Sequence, residues 1–409
     1  MRSLIAALLL VAQPALANDM LPGKPQSAPV LIKGATVHSV QNGALANTDL
    51  LFEKGLITAI GADLKAPVGT QVIDASGKHL YPGMIGLSTY LGLSEIEAVR
   101  STNDVEEVGT FTPEVAAETA FNADSELLPT VRSNGVALVE VAPQGGLVAG
   151  RSAVMRLDGW NRRDMMARED TGMHLYWPEV GDEQAREKLE NYFADAEAYR
   201  QRRSDSEQQL LDANLEAMTG VMEKRIPLFI HADGGAAIHQ ILRFGDRFGL
   251  KWTLVGGRGA ETYAKDLARR QVAVVVTSPQ GLPSSDDAPY DEAFALAGIL
   301  DKAGVEVAIA LPSSWSSRDL PFAVGQAMAW GLDPQKALAS VTQVPANLLG
   351  IGKQYGDLAV GRSATLLLTD HPLFDYGGVS VKALYIDGAA VDLDNRQKRL
   401  YRKYQQKGQ

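Results

Sequence analysis

The chain has 409 residues, with 39 Lys and Arg against 49 Asp and Glu, which gives a net charge of −10 at pH 7. Its 45% hydrophobic and 22% charged residues are typical of a globular protein with a real core, and they exclude a disordered chain or a protein of many membrane spans. The absence of cysteine excludes disulfides, thiolate metal ligands and cysteine nucleophiles, so a transition-metal site would have to use the six histidines and carboxylates. The acidic balance also disfavours nucleic acid and anionic lipid surfaces as partners, since neutralising phosphates requires clustered Lys and Arg; the basic cluster from Arg396 to Lys407 is the one exception.

The first residues have the pattern of a secretory signal peptide. Arg2 precedes a mostly apolar run from Leu4 to Ala12, and Ala15-Leu16-Ala17 has the small-residue form of a cleavage site. We therefore expect residues 1–17 to be removed near Ala17, leaving a periplasmic or secreted protein. No later apolar stretch approaches the ~20 residues that a transmembrane helix needs, so no membrane span is predicted.

Short strands separated by turns are predicted near both ends of the chain. Leu56 to Ile60 is one such strand, and Asn42-Gly43 and Lys54-Gly55 are typical hairpin turns. Each strand-rich segment is too short to stand alone, so residues 18–80 and 352–395 are predicted to form one composite β domain. The basic residues from Arg396 to Lys407 predict a solvated terminal helix or tail over 396–409.

Between these segments, short apolar runs alternate with helical patterns. Parallel β/α units arise from such alternation, either as a (β/α)8 barrel or as a doubly wound sheet. No glycine-rich phosphate-binding motif follows a strand, so a nucleotide site has little support. Seven runs are predicted as strands: Met84 to Leu87, Ala137 to Val141, Val154 to Leu157, Leu228 to Ile230, Trp252 to Val255, Val272 to Val276 and Val305 to Ala310. Two helices are predicted from apolar stripes: Leu189, Tyr192, Phe193, Ala196 and Tyr199 form one, and Leu211, Leu215, Met218 and Met222 the other.

Several motifs in this order resemble the amidohydrolase superfamily, especially its imidazolonepropionase-like and prolidase-like members. They are Leu31 to Val37, Lys54 to Gly61, Ile73 to Lys78 followed by Pro82 to Ile85, Asn347 to Ile351, Gly356 to Leu358, Val360 to Arg362, and Leu384 to Gly388. The resemblance implies an α/β fold, with a (β/α)8 TIM-like barrel over 81–351 and a small β-sandwich domain formed from the N- and C-terminal segments.

The family places divalent metals at the carboxyl ends of the barrel strands. Its ligands are a His-x-His pair after strand 1, a Lys or Glu from strand 4, one His each from strands 5 and 6, and an Asp from strand 8. Here Ser88 and Tyr90 stand at the His-x-His positions, whereas His231 matches the strand 5 ligand. The stretch Met173 to Trp177 is a candidate for strand 4, but it offers His174.

The remaining ligand positions are also substituted. Gly256-Gly257-Arg258 follows strand 6 without a histidine, and Leu311-Pro312-Ser313 follows strand 8 without an aspartate. Because a catalytic metal normally needs about three protein ligands, His231 with a speculative His174 falls short. We therefore expect no cofactor; a divalent metal such as zinc belongs only to an alternative in which the site is remodelled.

If the resemblance holds, six residues gather near one end of the barrel as pocket candidates: His231, Ser88, Tyr90, Asp233, Arg258 and Ser313. A metal-free Ser–His–Asp arrangement with His231 as base is conceivable there. However, Asp233 lies only two residues from His231, and local loop hydrogen bonding explains it better. Arg258 after two glycines suggests either a small anion site or a turn before a helix.

Two functions from different classes remain open. The first is a non-catalytic binding or partner subunit, a pseudoenzyme that keeps the fold without the metal. Its partners would be a small-molecule ligand, a second copy of the chain or a paired amidohydrolase relative. The alternative is an active hydrolase of amide or cyclic amide C–N bonds that uses a remodelled site.

Overall fold

A computed structural model describes residues 21–205, 211–377 and 380–408. The predicted signal peptide, residues 1–17, lies outside these residues. The described chain forms two β-sheets, and one of them takes strands from both ends of the chain. In chain order the strands are β1 (Val30–Ser39), β2 (Gly43–Glu53), β3 (Leu56–Gly61), β4 (Gln71–Asp74), β5 (His79–Pro82), β6 (Met84–Thr89), β7 (Val136–Val141), β8 (Val148–Arg156), β9 (Met166–Tyr176), β10 (Leu228–Ala232), β11 (Trp252–Gly256), β12 (Val274–Val276), β13 (Val307–Ile309), β14 (Leu366–Thr369), β15 (Val381–Ile386) and β16 (Ala389–Ala390).

The first sheet has the order β16-β15-β14-β5-β1-β2-β3, and β4 also pairs with β1. The antiparallel pairing of β14 with β5 joins the two distant segments of the chain, with Leu366 opposite Pro82. Strand β1 is continuous through Gly34. Gly34 adopts a φ of 71°, and the register with β2 shifts at this point, so the strand continues through the irregularity. A β domain formed from both terminal segments is thus part of the fold.

The second sheet contains β6 to β13 in chain order. All seven predicted runs lie in it, and the eighth strand, β9, contains the Met173 to Tyr176 stretch suggested for strand 4. The expected fold class, a TIM-like barrel with a β domain, is confirmed. One strand departs from it, because β8 runs antiparallel to both β7 and β9. A short loop, residues 142–147, joins β7 to β8, and a parallel strand would have required a longer crossover.

Helices cover this sheet, and their apolar stripes are largely those expected. In the first predicted stripe Leu189, Phe193 and Tyr199 are buried; in the second, Leu211 precedes the helix and is 66% exposed. The second helix begins after Asp212, whose carboxylate accepts hydrogen bonds from two backbone N–H groups of the first turn. The helices are α1 (Leu127–Arg132), α2 (Arg162–Met165), α3 (Glu183–Asp205), α4 (Ala213–Met222), α5 (Gly235–Phe248), α6 (Ala264–Arg269), α7 (Glu292–Lys302), α8 (Leu320–Ala329), α9 (Pro334–Ser340), α10 (Gln343–Leu348) and α11 (Arg396–Gln405).

The first and last barrel strands approach each other at their carboxyl ends. The N–H of Tyr90, just after β6, donates to the carbonyl of Ser313, which follows β13, over 3.4 Å. We call this end, where the parallel strands finish, the mouth of the barrel. In the family's fold, functional groups at this end converge from several strands.

The opposite end of the barrel holds a buried ion pair. Arg132 of α1 contacts Asp158, which follows β8, over 2.7 Å, and the two side chains are 6% and 8% exposed. The backbone N–H of Gly23 donates to the second carboxylate oxygen of Asp158 over 2.9 Å. This contact fixes the beginning of the described chain to the barrel. None of the described helices is both long and apolar enough to traverse a bilayer.

Candidate functional site

A buried carboxylate lies at the centre of the mouth. Glu140, on β7, is fully buried in a strand whose other residues are apolar. It accepts hydrogen bonds from the Ser88 N–H at 2.9 Å, the Ser152 hydroxyl at 2.7 Å and Nε2 of His174 at 3.2 Å. Burial acts to raise the pKa of Glu140, but the charge of His174 and these hydrogen bonds outweigh it, so the pKa lies below its usual value. Glu140 is therefore an ionised group held by strands β6 to β9.

Two histidines extend this carboxylate into a relay of hydrogen bonds. His174 lies on β9 and His231 on β10, and the two strands are parallel neighbours. Nδ1 of His174 lies 2.8 Å from Nε2 of His231, so the two rings share a hydrogen bond. Burial, and then the charge of His174, hold the pKa of His231 well below its usual value, so its imidazole is neutral at pH 7. We call Glu140, His174 and His231 the mouth relay.

Aromatic rings enclose the mouth relay. The Tyr176 ring stacks on His231 with ring centroids 4.2 Å apart, and the Phe229 ring stacks on His174 at 5.2 Å. The Tyr176 hydroxyl donates to the carbonyl of Pro143 over 3.2 Å. Burial, together with the charges of Glu140 and of nearby Tyr90, raises the pKa of Tyr176, so its phenol stays protonated. Burial and the charge of Glu97 likewise raise the pKa of Tyr90.

Ser88 reaches the mouth relay through its backbone. It adopts a φ of 51°, in the left-handed region that non-glycine residues rarely occupy. In this conformation the Ser88 N–H donates to the Glu140 carboxylate. The hydroxyl of the next residue, Thr89, donates to the backbone carbonyl of Glu140 over 2.8 Å. The Ser88 hydroxyl oxygen is buried and has no hydrogen-bond partner among the described residues. Such strained positions cluster at functional sites because the surrounding structure must impose them.

The other pocket candidates lie at the same end of the barrel but have local partners. Asp233 accepts a hydrogen bond from the Arg258 N–H over 2.9 Å, so it joins two loops, and among the described residues it forms no hydrogen bond with His231. The Ser313 hydroxyl accepts from the N–H groups of Trp315 and Ser316, so it is used within its own loop. The Ser–His–Asp arrangement therefore does not form; the partner of His231 is His174.

The remaining histidines lie elsewhere. Nε2 of His38, on β1, is 3.0 Å from Nδ1 of His79 on β5, and the His38 ring stacks on Tyr81 at 4.1 Å. Burial, and then the charge of His79, lower the pKa of His38 to about 4. His371 lies near His79, and His239 is exposed on α5. Among residues 21–205, 211–377 and 380–408, no group of three or more His, Asp or Glu side chains is arranged to hold a metal ion.

A family model described as the amidohydrolase family matches residues 181–391, just over half of the chain. The chain belongs to the amidohydrolase family. Curated proteins that match part of the chain include dihydroorotases. The dihydroorotase of Citrifermentans bemidjiense is 33% identical over 128 residues, 30% of each chain. That of Mycobacterium tuberculosis is 34% identical over 128 residues, which is 30% of this chain and 29% of the relative. The match thus spans less than a third of these relatives' length.

Solved structures of amidohydrolases share the fold across most of the chain. An amidohydrolase from Thermotoga maritima MSB8 superposes with a TM-score of 0.81 at 23% identity, covering 89% of this chain and 99% of that one. A prolidase complexed with N-methylphosphonate-L-proline superposes with a TM-score of 0.56 at 17% identity, covering 89% of this chain and all of that one. At these identities the likeness shows a shared fold. The prolidase-like resemblance seen in the sequence is therefore confirmed for the fold.

The residue on which the site is centred, Glu140, was not predicted from the sequence. Glu140 had a signal, because it is the single charged residue in the buried strand Val136–Val141, where an ionised side chain requires several partners. Ser152 had no signal, since its contact with Glu140 depends on the antiparallel direction of β8. His174 was only a speculative candidate because strand 4 could not be located.

Proposed function

We propose that this amidohydrolase-family protein does not perform metal-dependent hydrolysis and acts as a non-catalytic binding or partner subunit. The observation that carries the proposal is the hydrogen bond between His174 and His231 at 2.8 Å, next to the bond from His174 to Glu140. Imidazole nitrogens that bond to each other are not available to bind a metal at the same time.

The hydrogen bonds of the mouth relay support this reading. The ionised Glu140 carboxylate can only accept, so Nε2 of His174 donates to it, and Nδ1 of His174 is bonded to Nε2 of His231. This leaves Nδ1 of His231 as the one imidazole nitrogen that forms no hydrogen bond within the relay. A catalytic zinc ion normally takes three protein ligands. The residues present at the mouth therefore do not fit the family's metal.

The substituted positions support the same proposal. The side chains at the His-x-His positions are Ser88 and Tyr90, and the backbone of Ser88 is already used to bind Glu140. The Glu140 carboxylate already accepts three hydrogen bonds, so its negative charge is stabilised without an external cation. The relay then stabilises the barrel end where related enzymes carry out chemistry.

The test is turnover by the protein without its first 17 residues, after incubation with zinc, manganese, cobalt or iron(II). The substrates are dihydroorotate, suggested by the dihydroorotase relatives, other cyclic amides, and Xaa-Pro dipeptides, suggested by the prolidase neighbours. We expect no rate above that of His231→Ala. The matched control is His239→Ala, which removes an exposed histidine eight residues away. Metal-dependent turnover that His231→Ala abolishes and His239→Ala retains would contradict the proposal.

The second candidate is an active hydrolase of cyclic amide or amide C–N bonds. It is favoured by the 33% identity over 128 residues with a dihydroorotase. In that case Nδ1 of His231 would act as a base oriented by His174 and Glu140. Ring opening of dihydroorotate that persists in metal chelator and is lost in both Glu140→Gln and His231→Ala would select this candidate.

We also propose that the protein is exported. The support is the sequence of residues 1–17, in which a basic start, an apolar run and an Ala-x-Ala end follow one another. N-terminal sequencing of the protein recovered from a periplasmic fraction should begin at Asn18. Recovery of the full chain from the cytosol would contradict export.

A further inference from the structure

Helix α11 concentrates positive charge in an acidic protein. Residues 396–407 contain six Lys or Arg and no Asp or Glu, and removing these six charges from the net −10 leaves −16 on the rest of the chain. Its attachment is confined to the first turn. Asn395 donates to the Ser133 hydroxyl over 2.9 Å, and Gln397 accepts from the Thr130 hydroxyl over 2.9 Å. From Leu400 to Lys407 every residue is exposed, so the later turns project from the body.

The helix has two different faces. At 100° per residue, Lys398, Arg399 and Arg402 share one side. Each of the three has a partner: Arg402 pairs with Asp394 at 2.6 Å, Arg399 with Glu126 at 3.3 Å, and the Lys398 ammonium donates to the Leu393 carbonyl over 2.7 Å. This side is therefore satisfied by neighbouring residues of the same chain.

The other face has no such partners among the described residues. Leu400, Tyr401 and Tyr404 fall within about 100° of one another on the helical wheel, and they are 40%, 65% and 62% exposed. Arg396 and Lys403 lie directly beside them on the helix, and Lys407 follows in the 3-10 turn after its end. These three form no ion pair within the described residues. Aromatic and aliphatic side chains flanked by unpaired Lys and Arg are the composition of helices that lie at a membrane–water interface.

We propose that α11 docks the protein on an anionic phospholipid surface. Leu400, Tyr401 and Tyr404 would lie at the level of the headgroups, and the unpaired cations would contact lipid phosphates. The projecting part of the helix, residues 400–405, is about 9 Å long, which is comparable with the Debye length of about 8 Å at physiological ionic strength. The projecting turns thus reach the lipid while much of the acidic body is screened from it.

Docking through α11 would direct the mouth away from the membrane. Ser133, to which α11 is attached, precedes the start of β7, whereas Glu140 lies near the end of that strand. The helix and the mouth relay are therefore at opposite ends of the barrel. A ligand or partner would reach the mouth from the aqueous side, whether or not the site is catalytic.

The test is flotation of the protein lacking residues 1–17 with vesicles of phosphatidylglycerol and phosphatidylcholine (1:1), or of phosphatidylcholine alone, at 50 and 300 mM NaCl. Binding is expected only with phosphatidylglycerol, and it should weaken at the higher salt concentration. Each lysine near an anionic surface is worth about fivefold in partitioning, so K403Q/K407Q should lower it by about 25-fold. Y401S/Y404S should also weaken binding, which a purely electrostatic contact would not predict.

The matched control is K188Q/K265Q, which removes the same charge from exposed lysines of α3 and α6 and should leave partitioning unchanged. Because the substituted α11 residues are exposed, the circular dichroism spectrum and the melting temperature should match those of wild type. Equal loss in the control, or no binding of wild type at 50 mM NaCl, would overturn the proposal. A dimer in sedimentation velocity that K403Q/K407Q dissociates, without vesicle binding by wild type, would instead assign α11 to a contact between copies.

Discussion

Replacing Glu140 with glutamine removes the charge at the centre of the mouth relay while nearly conserving its shape. The carboxylate accepts from Ser88 and His174 on different oxygens. In the glutamine variant one oxygen becomes an NH2 group, which cannot accept. If that group faces Ser88, a buried backbone N–H loses its acceptor; if it faces His174, a charge-assisted bond is lost instead.

The loss of stability follows from these lost hydrogen bonds. A hydrogen bond to a charged group contributes about 1.5–3 kcal/mol, and a buried donor left without an acceptor costs about 1–3 kcal/mol. We expect Glu140→Gln to lower the free energy of unfolding by about 3 kcal/mol at pH 7. Glu140→Ala, which leaves all three donors without an acceptor, should cost more, about 5 kcal/mol.

Urea unfolding followed by circular dichroism measures this change as a shift of the midpoint at constant m-value. The control is Glu183→Gln, because the Glu183 side chain is 86% exposed and its nearest cation is 3.9 Å away. That substitution should change the free energy by less than about 0.5 kcal/mol. A loss below about 1 kcal/mol for Glu140→Gln would refute the description of Glu140 as a buried acceptor of three bonds.

Three further substitutions test other parts of the structure. The pKa of His38 is about 4 in the folded protein against about 6.5 in the unfolded chain, so its contribution to stability is present above pH 6.5 and is lost as the pH falls towards 4. Wild type should therefore lose free energy of unfolding between pH 7.5 and pH 4.5. In His38→Phe, urea unfolding at the two pH values should show a loss that is smaller by about 1.5 kcal/mol after allowance for solvent screening. Asp158→Ala leaves its buried arginine partner without a counter-ion and should cost about 3 kcal/mol in the same assay. In Gly172→Ala the new Cβ would overlap the Phe229 ring, so we expect the free energy of unfolding to fall by about 2 kcal/mol. The His231 ring resonances in NMR spectra should also change.

Each of these variants is compared with a reference protein: wild type for His38→Phe, Glu223→Ala for Asp158→Ala, and Gly181→Ala for Gly172→Ala. Tyr81 stacks on His38, so the phenylalanine ring at position 38 retains that contact and isolates the effect of protonation. Glu223→Ala removes an exposed ion pair and should change stability by less than about 0.5 kcal/mol. Gly181→Ala places its Cβ where no atom lies within 4 Å and should be close to neutral. Equal pH dependence of His38→Phe and wild type, or equal costs for a variant and its reference, would contradict the corresponding prediction.

The fold was largely predictable because its signals are local. The apolar runs and turns indicated strands from residues next to one another, and the motifs near Gly83 and Gly388 have an order typical of the family. The direction of β8 was not predictable in this way, since it depends on how the loop of residues 142–147 folds back. Leu211 fitted the helical period of α4, but the helix begins after Asp212, whose side chain caps it.

The site was predicted in location but not in its contacts. His231 was identified through the family resemblance, as the match to the strand 5 ligand, whereas the His174–His231 hydrogen bond depends on the register of two parallel strands, which a single sequence does not specify. Asp233 lies two residues from His231 in sequence, but its carboxylate accepts from the Arg258 N–H, in keeping with the local loop hydrogen bonding preferred from the sequence. Glu140, the carboxylate that reaches the histidines, comes from a different strand.

The most direct test of the central claim is the amount of zinc that the purified protein retains. The protein lacking residues 1–17, equilibrated with excess zinc and passed through a desalting column, is analysed by inductively coupled plasma mass spectrometry beside His231→Ala and His239→Ala. Since the mouth relay commits its imidazoles to each other and to Glu140, we predict well below one zinc ion per chain, with equal values for all three proteins. About one zinc ion per chain in wild type and in His239→Ala, but not in His231→Ala, would contradict the account.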